Sequence, residues 1–384
     1  MQNAANRILS DIHDLAPQLG ARVAEFEAAR RIPPDVVSTL RSIGVFRMFV
    51  PRSHDGLALD LPAAADIIAA LARIDGSLGW IVMIASNASL CAPLLPRETY
   101  DDIYRHGPDV IFAGSTQPLG TLDATDSGWR VSGRWPFASG CQHADFIIGA
   151  GTRTERGKPL CEATSEGVPL PPVCFMLPAP EWQIEDTWRV SGLRATGSHH
   201  IAIKDATAAA TQIFTLAEIA PCVPGPLYGS LLQVASMLMS AVAVGIAEAA
   251  LDDIIAYADT GRRQQYAPAP MRDSETFHGE LGRAAVDVRA ARAFFESENA
   301  RYWRRALAGT HDAPAFHAEV KQGAIWLTAT CIDATMACFA LGGGSAIYDG
   351  SPLQRRLRDL QAVGQHAVVQ RRHYADAGKM LLQQ

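Results

Sequence analysis

The chain has 384 residues, enough for two or three domains, and 48% of them are apolar against 19% charged, the balance of a folded globular protein and not of a disordered or coiled-coil one. A formal net charge of -6 with no long Lys/Arg run excludes nucleic acid as an expected partner, because phosphate binding needs a concentrated positive face. Seven scattered cysteines, without a Cys-x-x-Cys pair or zinc spacing, predict reduced thiols in a cytoplasmic protein with no metal site.

The first twelve residues include Arg7 and Asp11 and lack the apolar stretch of a secretory signal, so export is not expected. From residue 5 to about 105 the pattern is helical. Pro34 opens a helix over 34–41, and 61–73 place Ala, Ile and Leu at helical spacing. Near Gly107-Pro108 the apolar period changes to two. Alternation over 109–114 and 129–135, with turn chemistry at Asp126-Ser127-Gly128, predicts strands, and 146–150, 173–177, 182–188 and 200–204 are further strand candidates. The Pro-rich stretch 221–226 ends that region, and helices are predicted over 227–259, 274–307, 313–340 and 353–382. The expected fold is α+β in three parts: an N-terminal α-helical domain (1–108), a middle β-barrel or β-sandwich domain (109–218) and a C-terminal four-helix bundle (226–384).

Residues 221–247 carry no charge and are long enough to span a bilayer. Their leading prolines, with Gln233, Ser236 and Ser240, fit a helix buried at the centre of a bundle better, so no membrane association is expected. The basic groups Arg301, Arg304 and Arg305, and Arg355, Arg356 and Arg358, read as solvated or anion-facing helix surfaces.

Several short segments carry chemistry. Ser139 precedes Gly140, where it is either a turn residue or a placed hydroxyl. In 191–198, glycines and small hydroxyl residues let backbone amides approach an anion, and Arg194 adds a planar donor set; a tight link between strands is the plainer reading. Gly342-Gly343-Gly344-Ser345 follows a helix and so lacks the strand that a dinucleotide fingerprint requires. His366 stands in Val363-Gly364-Gln365-His366-Ala367, a stretch with no carboxylate, where it is either an ordinary helix residue or a proton-transfer group.

Four motifs then act together. They are Asp75-Gly76-Ser77-Leu78-Gly79-Trp80, Trp135-Pro136-Phe137-Ala138-Ser139-Gly140, the run from Trp188-Arg189-Val190-Ser191 through Gly192-Leu193-Arg194-Ala195-Thr196-Gly197-Ser198, and Gly342-Gly343-Gly344 with Arg358-Asp359. With them the chain resembles the acyl-CoA dehydrogenase superfamily over essentially its whole length. Within it the chain is most similar to the oxygenase components of two-component flavin monooxygenases, which hydroxylate phenols and related aromatic or heteroaromatic compounds.

The resemblance implies a flavin-dependent monooxygenase and a homotetramer. A separate flavin reductase would supply reduced FMN or FAD, and O2 would react through a C4a-hydroperoxyflavin. It implies Trp135 and Phe137 against the isoalloxazine and Ser139 near N5, where its hydrogen bond holds the peroxide adduct. Arg194, Thr196 and Ser198 would contact flavin, and Arg263, or Arg262 in its stead, the flavin phosphate. Gly343 and Gly344 would approach the flavin of a neighbouring subunit. Asn87 and Ser115 would lie near substrate, and His366 would be the catalytic base or proton relay at the place where dehydrogenases carry a Glu. Many phenol hydroxylases of this branch have a His where Asn87 stands, so a substrate other than a simple phenol is expected. The alternatives are a dehydrogenase with its base at Glu248, Asp252 or Asp253, an N- or S-oxygenating relative, and a non-enzymatic helical scaffold.

Overall fold

The computed structural model describes residues 2–160, 172–179, 181–216, 219–228 and 231–382; Cys161 and the expected domain boundary at residue 218 lie outside them. The chain opens with α1 (Gln2–Ala21), α2 (Val23–Ala29), α3 (Pro34–Ile43), α4 (Leu61–Ile74), α5 (Gly76–Ser89) and α6 (Arg97–Ile103). Asp60 starts α4 by accepting the Ala63 N–H at 2.8 Å. Asp75 then leaves helical geometry and caps α5, accepting from the amides of Ser77 at 3.0 Å and Leu78 at 3.3 Å. A cap of this kind stabilises a helix by about 1 kcal/mol.

The middle region contains β1 (Phe112–Thr125), β2 (Gly128–Trp135), β3 (Phe146–Glu155), β4 (Lys158–Pro159), β5 (Val173–Pro178), β6 (Gln183–Glu185), β7 (His200–Ala208) and β8 (Ile213–Thr215). They form one sheet in the order β6-β7-β2-β1-β3-β5-β8, with β4 on β3; only the β1/β3 pair is parallel. β2 and β5 are separated by two strands, roughly 14 Å in a flat sheet. The rings of Trp135 and Phe175 nonetheless meet edge to face at 5.3 Å, so the sheet curls around its own core. Gly120 and Gly133 leave the space for the indole, since a Cβ on either would come within 2.6 Å of it.

Two strand expectations change. The first strand continues to Thr125 through register shifts around Pro118, which hide its alternation. The stretch expected at 182–188 pairs only over Gln183–Glu185, because the amides of Thr187 and Trp188 turn to His199 Nδ1, each at 3.2 Å.

The last region holds α7 (Leu231–Asp259), α8 (Glu275–Leu307), α9 (Pro314–Leu341), α10 (Pro352–Val363) and α11 (Tyr374–Leu382). By length and composition Gly76–Leu94, Leu231–Asp259 and Pro314–Leu341 could each cross a membrane. α7, however, is packed on by α4, α5, α8, α9 and α10, the surroundings that its unpatterned apolar surface demands. The helix expected over 353–382 is two helices. At Gly364, where a Cβ would press on Ile332 of α9 at 2.8 Å, the chain leaves α10 and carries His366 into the connection.

The basic cluster on α10 is not a solvated face. Arg356 is 6% exposed, bonding Asp253 at 3.1 Å and the Ile74 carbonyl at 2.8 Å. Arg358 bonds Glu27 at 3.0 Å and the Ser191 carbonyl. Beside them Asp359, buried, accepts the Leu193 N–H at 2.6 Å and faces buried Asp75 across Gly76, whose Cβ position is 3.0 Å from Asp359 Oδ2. Burial raises the pKa of both carboxyls. For Asp359 the repulsion of Asp75 adds to burial, and its pKa is pushed up to about 7, while Arg355, Arg356 and the two capped amides oppose the rise at Asp75.

The folded chain therefore holds a proton on Asp359 that the unfolded chain releases near pH 4. That contribution to stability is complete below about pH 4 and declines as pH rises to about 7, at no more than roughly 1.4 kcal/mol per unit. Asp359→Asn keeps an acceptor for Leu193 and offers Asp75 a donor. Denaturation curves are expected to show the variant gaining on the wild type between about pH 4 and pH 7, with the difference constant above; a pH-independent difference would contradict the proton on Asp359.

Candidate active site

β2 delivers the chain into a turn at 136–140. Phe137 there has φ 64° and is 59% exposed. A non-glycine residue in this left-handed region is strained by about 1 to 2 kcal/mol, and its ring is held only edgewise against Trp188 at 6.2 Å. Two residues on, Ser139 points inward. Its Oγ accepts from Trp80 Nε1 at 3.0 Å and lies 2.7 Å from Ser198 Oγ, which is 2.6 Å from Thr196 Oγ1. Thr196 donates to the Leu193 carbonyl at 2.8 Å.

Trp135 lies elsewhere. It is fully buried in the sheet core with its N–H on the Ala150 carbonyl at 2.9 Å, so its expected place against a ligand is corrected to a packing role. An inward strand residue and a ligand platform two positions later share the same aromatic signal.

His366 begins a short turn, its Nδ1 accepting the Val368 N–H at 3.3 Å, and its ring meets Trp80 edge to face at 5.7 Å. Trp80 thus touches both His366 and Ser139. Burial lowers the His366 pKa to about 4, so the ring is neutral near pH 7. With Nδ1 accepting, the single ring proton sits on Nε2. In this geometry His366 is a donor, and a base at Nε2 would need the opposite tautomer, with two N–H groups opposed at Val368.

Asn87 lies two helical turns after Trp80 on α5, hence on the same face, and its Oδ1 is buried without a hydrogen-bond partner, as is Nε of half-buried Arg194. Ser115 stands at the bulge in β1, its Oγ accepting from the Gln117 amide at 3.4 Å. Arg263 and the glycine run meet at another place. Arg263 bonds the Ala267 carbonyl at 2.7 Å, Gln264 bonds the Leu341 carbonyl at 2.9 Å beside Gly343, and Arg262 bonds Ser345, while the space at Gly344 is open. The exposed side chains of Tyr266, Ile347 and Tyr348 accompany them.

The alternative bases are all committed to arginines. Glu248 is held by Arg292 at 2.7 and 2.8 Å, Asp252 by Arg73 at 2.6 Å and Asp253 by Arg356 at 3.1 Å. The link that residue-by-residue reading missed is Trp80. It ends the motif at 75–80, but its bond to a serine 59 positions away has no local signal.

An aromatic ring presented on a strained turn, a hydroxyl beside it and unpartnered polar atoms at Arg194 and Asn87 fit a flat fused ring with a hydrogen-bonding edge. A flavin presents these features.

Residues 9–97 match the family "Acyl-CoA dehydrogenase, N-terminal domain" and residues 237–371 "Acyl-CoA dehydrogenase, C-terminal domain". The chain is 31% identical over 361 residues to an indole-3-acetate monooxygenase of Pseudomonas putida, covering 94% of this chain and 90% of the relative. It is 27% identical over 379 residues to the oxygenase component of an FADH(2)-dependent resorcinol hydroxylase of Rhizobium sp. (strain MTP-10005), covering 94% and 90%. The crystal structure of 3-HSA hydroxylase from Rhodococcus sp. RHA1 superposes with a TM-score of 0.89 at 25% identity, covering 98% and 97%.

If Phe137 is a ligand platform and not a packing residue, its removal spares the fold. Phe137→Gly relieves the left-handed strain, so the ligand-free melting temperature is expected to stay level or rise, against the loss of about 3 to 5 kcal/mol that truncating a buried Phe causes. A loss of that size would assign Phe137 to the core.

Proposed function

The chain belongs to the acyl-CoA dehydrogenase family, in its branch of flavin-dependent monooxygenase oxygenase components, and from this we propose that it hydroxylates an aromatic or heteroaromatic small molecule with reduced FMN or FAD from a separate reductase. The observation that carries the reading is the contact of Trp80 with both Ser139 and His366, while the alternative bases Glu248, Asp252 and Asp253 are paired with arginines. Bound reduced flavin supplies two electrons to O2, so that one oxygen enters the substrate and the other leaves as water.

The protein's own part is positional. Phe137 offers a face for the ring system. Ser139, dry and held by Trp80, presents its oxygen to the ring's central edge. His366 donates through Nε2 to an electron-rich oxygen or ring atom of the substrate and orients it, while Asn87 offers an acceptor to a substrate O–H or N–H. The geometry supports His366 as donor over His366 as base. The cluster of Arg262, Arg263 and Gly343 to Ser345, with its exposed aromatic side chains, suits the flavin phosphate of a neighbouring subunit, and so a homotetramer. Exposed Trp326 and Met336 on α9 are further apolar surface for such contacts.

Purified protein given reduced flavin, O2 and an aromatic panel including indolic and phenolic compounds is expected to form hydroxylated product. Acyl-CoA oxidation with an electron acceptor and no reductase would replace this reading with a dehydrogenase. Ser139→Ala is expected to divert reducing equivalents, raising H2O2 released per product about five- to tenfold, the worth of one buried hydrogen bond. His366→Ala is expected to lower kcat/KM for the substrate by roughly ten- to a hundredfold. Because burial holds its pKa near 4, the wild-type pH profile of kcat/KM is expected to lack a histidine inflection around pH 6.5 that His366→Ala removes; finding one would restore the base.

A further inference from the structure

The hydroxyls beneath Phe137 form a chain with one direction. A hydroxyl has one proton and two lone pairs. Thr196 places its proton on the Leu193 carbonyl at 2.8 Å. In the 2.6 Å contact between Thr196 and Ser198, Ser198 must therefore donate. In the 2.7 Å contact between Ser198 and Ser139, Ser139 must then donate. Trp80 Nε1–H fills one lone pair of Ser139 at 3.0 Å, so Ser139 has no proton to give and one lone pair left. Trp80, Ser139, Thr196 and Ser198 are each 6% exposed or less, which keeps water from supplying other partners. Leu193 is itself anchored, with its N–H on Asp359 at 2.6 Å and its carbonyl also accepting Trp188 Nε1 at 3.1 Å.

We infer that Thr196 and Ser198 are positioning residues that make Ser139 an acceptor only, so that the site selects reduced over oxidised flavin. The reduced ring presents an N–H at its central edge; the oxidised ring presents a bare nitrogen there, which would face the Ser139 oxygen lone pair to lone pair. The inference rests on the proposed reading that Ser139 faces that edge. It assigns the two residues a part beyond flavin contact, since their hydroxyls are spent on orienting a third.

The test is anaerobic equilibrium titration of the full-length wild type and of Ser139→Ala, Ser198→Ala, Thr196→Val and Thr196→Ser with oxidised and with reduced FMN and FAD, read by fluorescence, with melting curves to establish folding. The wild type is expected to bind reduced flavin more tightly. Ser198→Ala frees the Ser139 proton to turn to the bare nitrogen, and the ratio of oxidised to reduced Kd is expected to fall about fivefold or more. Thr196→Val, two hydroxyls away, is expected to do the same, because Ser198 then donates to Ser139 and Ser139 to the flavin; Thr196→Ser keeps the relay and the wild-type ratio. A ratio unchanged in both relay variants, or two constants moving in parallel, overturns the inference. Failure of the underlying reading is distinguishable: either the wild type binds neither flavin, or Ser139→Ala leaves the ratio at its wild-type value.

Discussion

The peptide groups flanking Leu193 tie the middle region of the chain to the last. The Leu193 N–H reaches Asp359 on α10, its carbonyl accepts from Thr196 and Trp188, and its backbone is left-handed at φ 52°. Gly192 beside it lies so close to the Arg358 carbonyl that a Cβ would sit 2.0 Å from the oxygen. The loop is thus wedged onto the bundle. A left-handed Leu costs about 1 to 2 kcal/mol, and buried hydrogen bonds at about 1 kcal/mol each offset it. Through this wedge the orientation of Ser139, in the turn after β2, depends on a carboxyl of the last region and an indole of the first.

The same region separates two kinds of chemistry that one scaffold supports. Proton abstraction from a carbon needs an available base, yet Glu248, Asp252 and Asp253 are paired with arginines and Asp75 and Asp359 are occupied as backbone acceptors. What the site offers instead is an indole, hydroxyls, an uncharged imidazole, an amide and the Arg194 guanidinium. Such a site lowers no barrier by ionising. It orients, and it excludes water that would otherwise divert the oxygen chemistry.

Much of this was legible in the residues, and the misses have physical causes. Helices long enough to show their period were found. Trp135 was misassigned because a strand's last inward residue and a turn's exposed aromatic lie two positions apart, and sequence carries no sign of which one the sheet swallows. The arginines of α10 read as solvated or anion-facing, with no partner named, because their partners, Asp253, Glu27 and the Ile74 carbonyl, lie 100 residues or more away. The relay was half visible: its three hydroxyls sit in the motifs at 135–140 and 188–198, but its direction follows from distances alone.

His366 illustrates how a packing detail becomes chemistry. Had the helix continued past Val363, the imidazole would lie on its surface, free to exchange protons with solvent. Gly364 permits close approach to Ile332 of α9, the chain departs, and the ring becomes the cap of the next turn against Trp80. Capping claims Nδ1 for the Val368 amide, and burial keeps the ring neutral. Both effects leave the proton on Nε2. Under the proposed function His366 therefore holds a hydrogen bond in place of removing a proton, and the helix break is what enforces it.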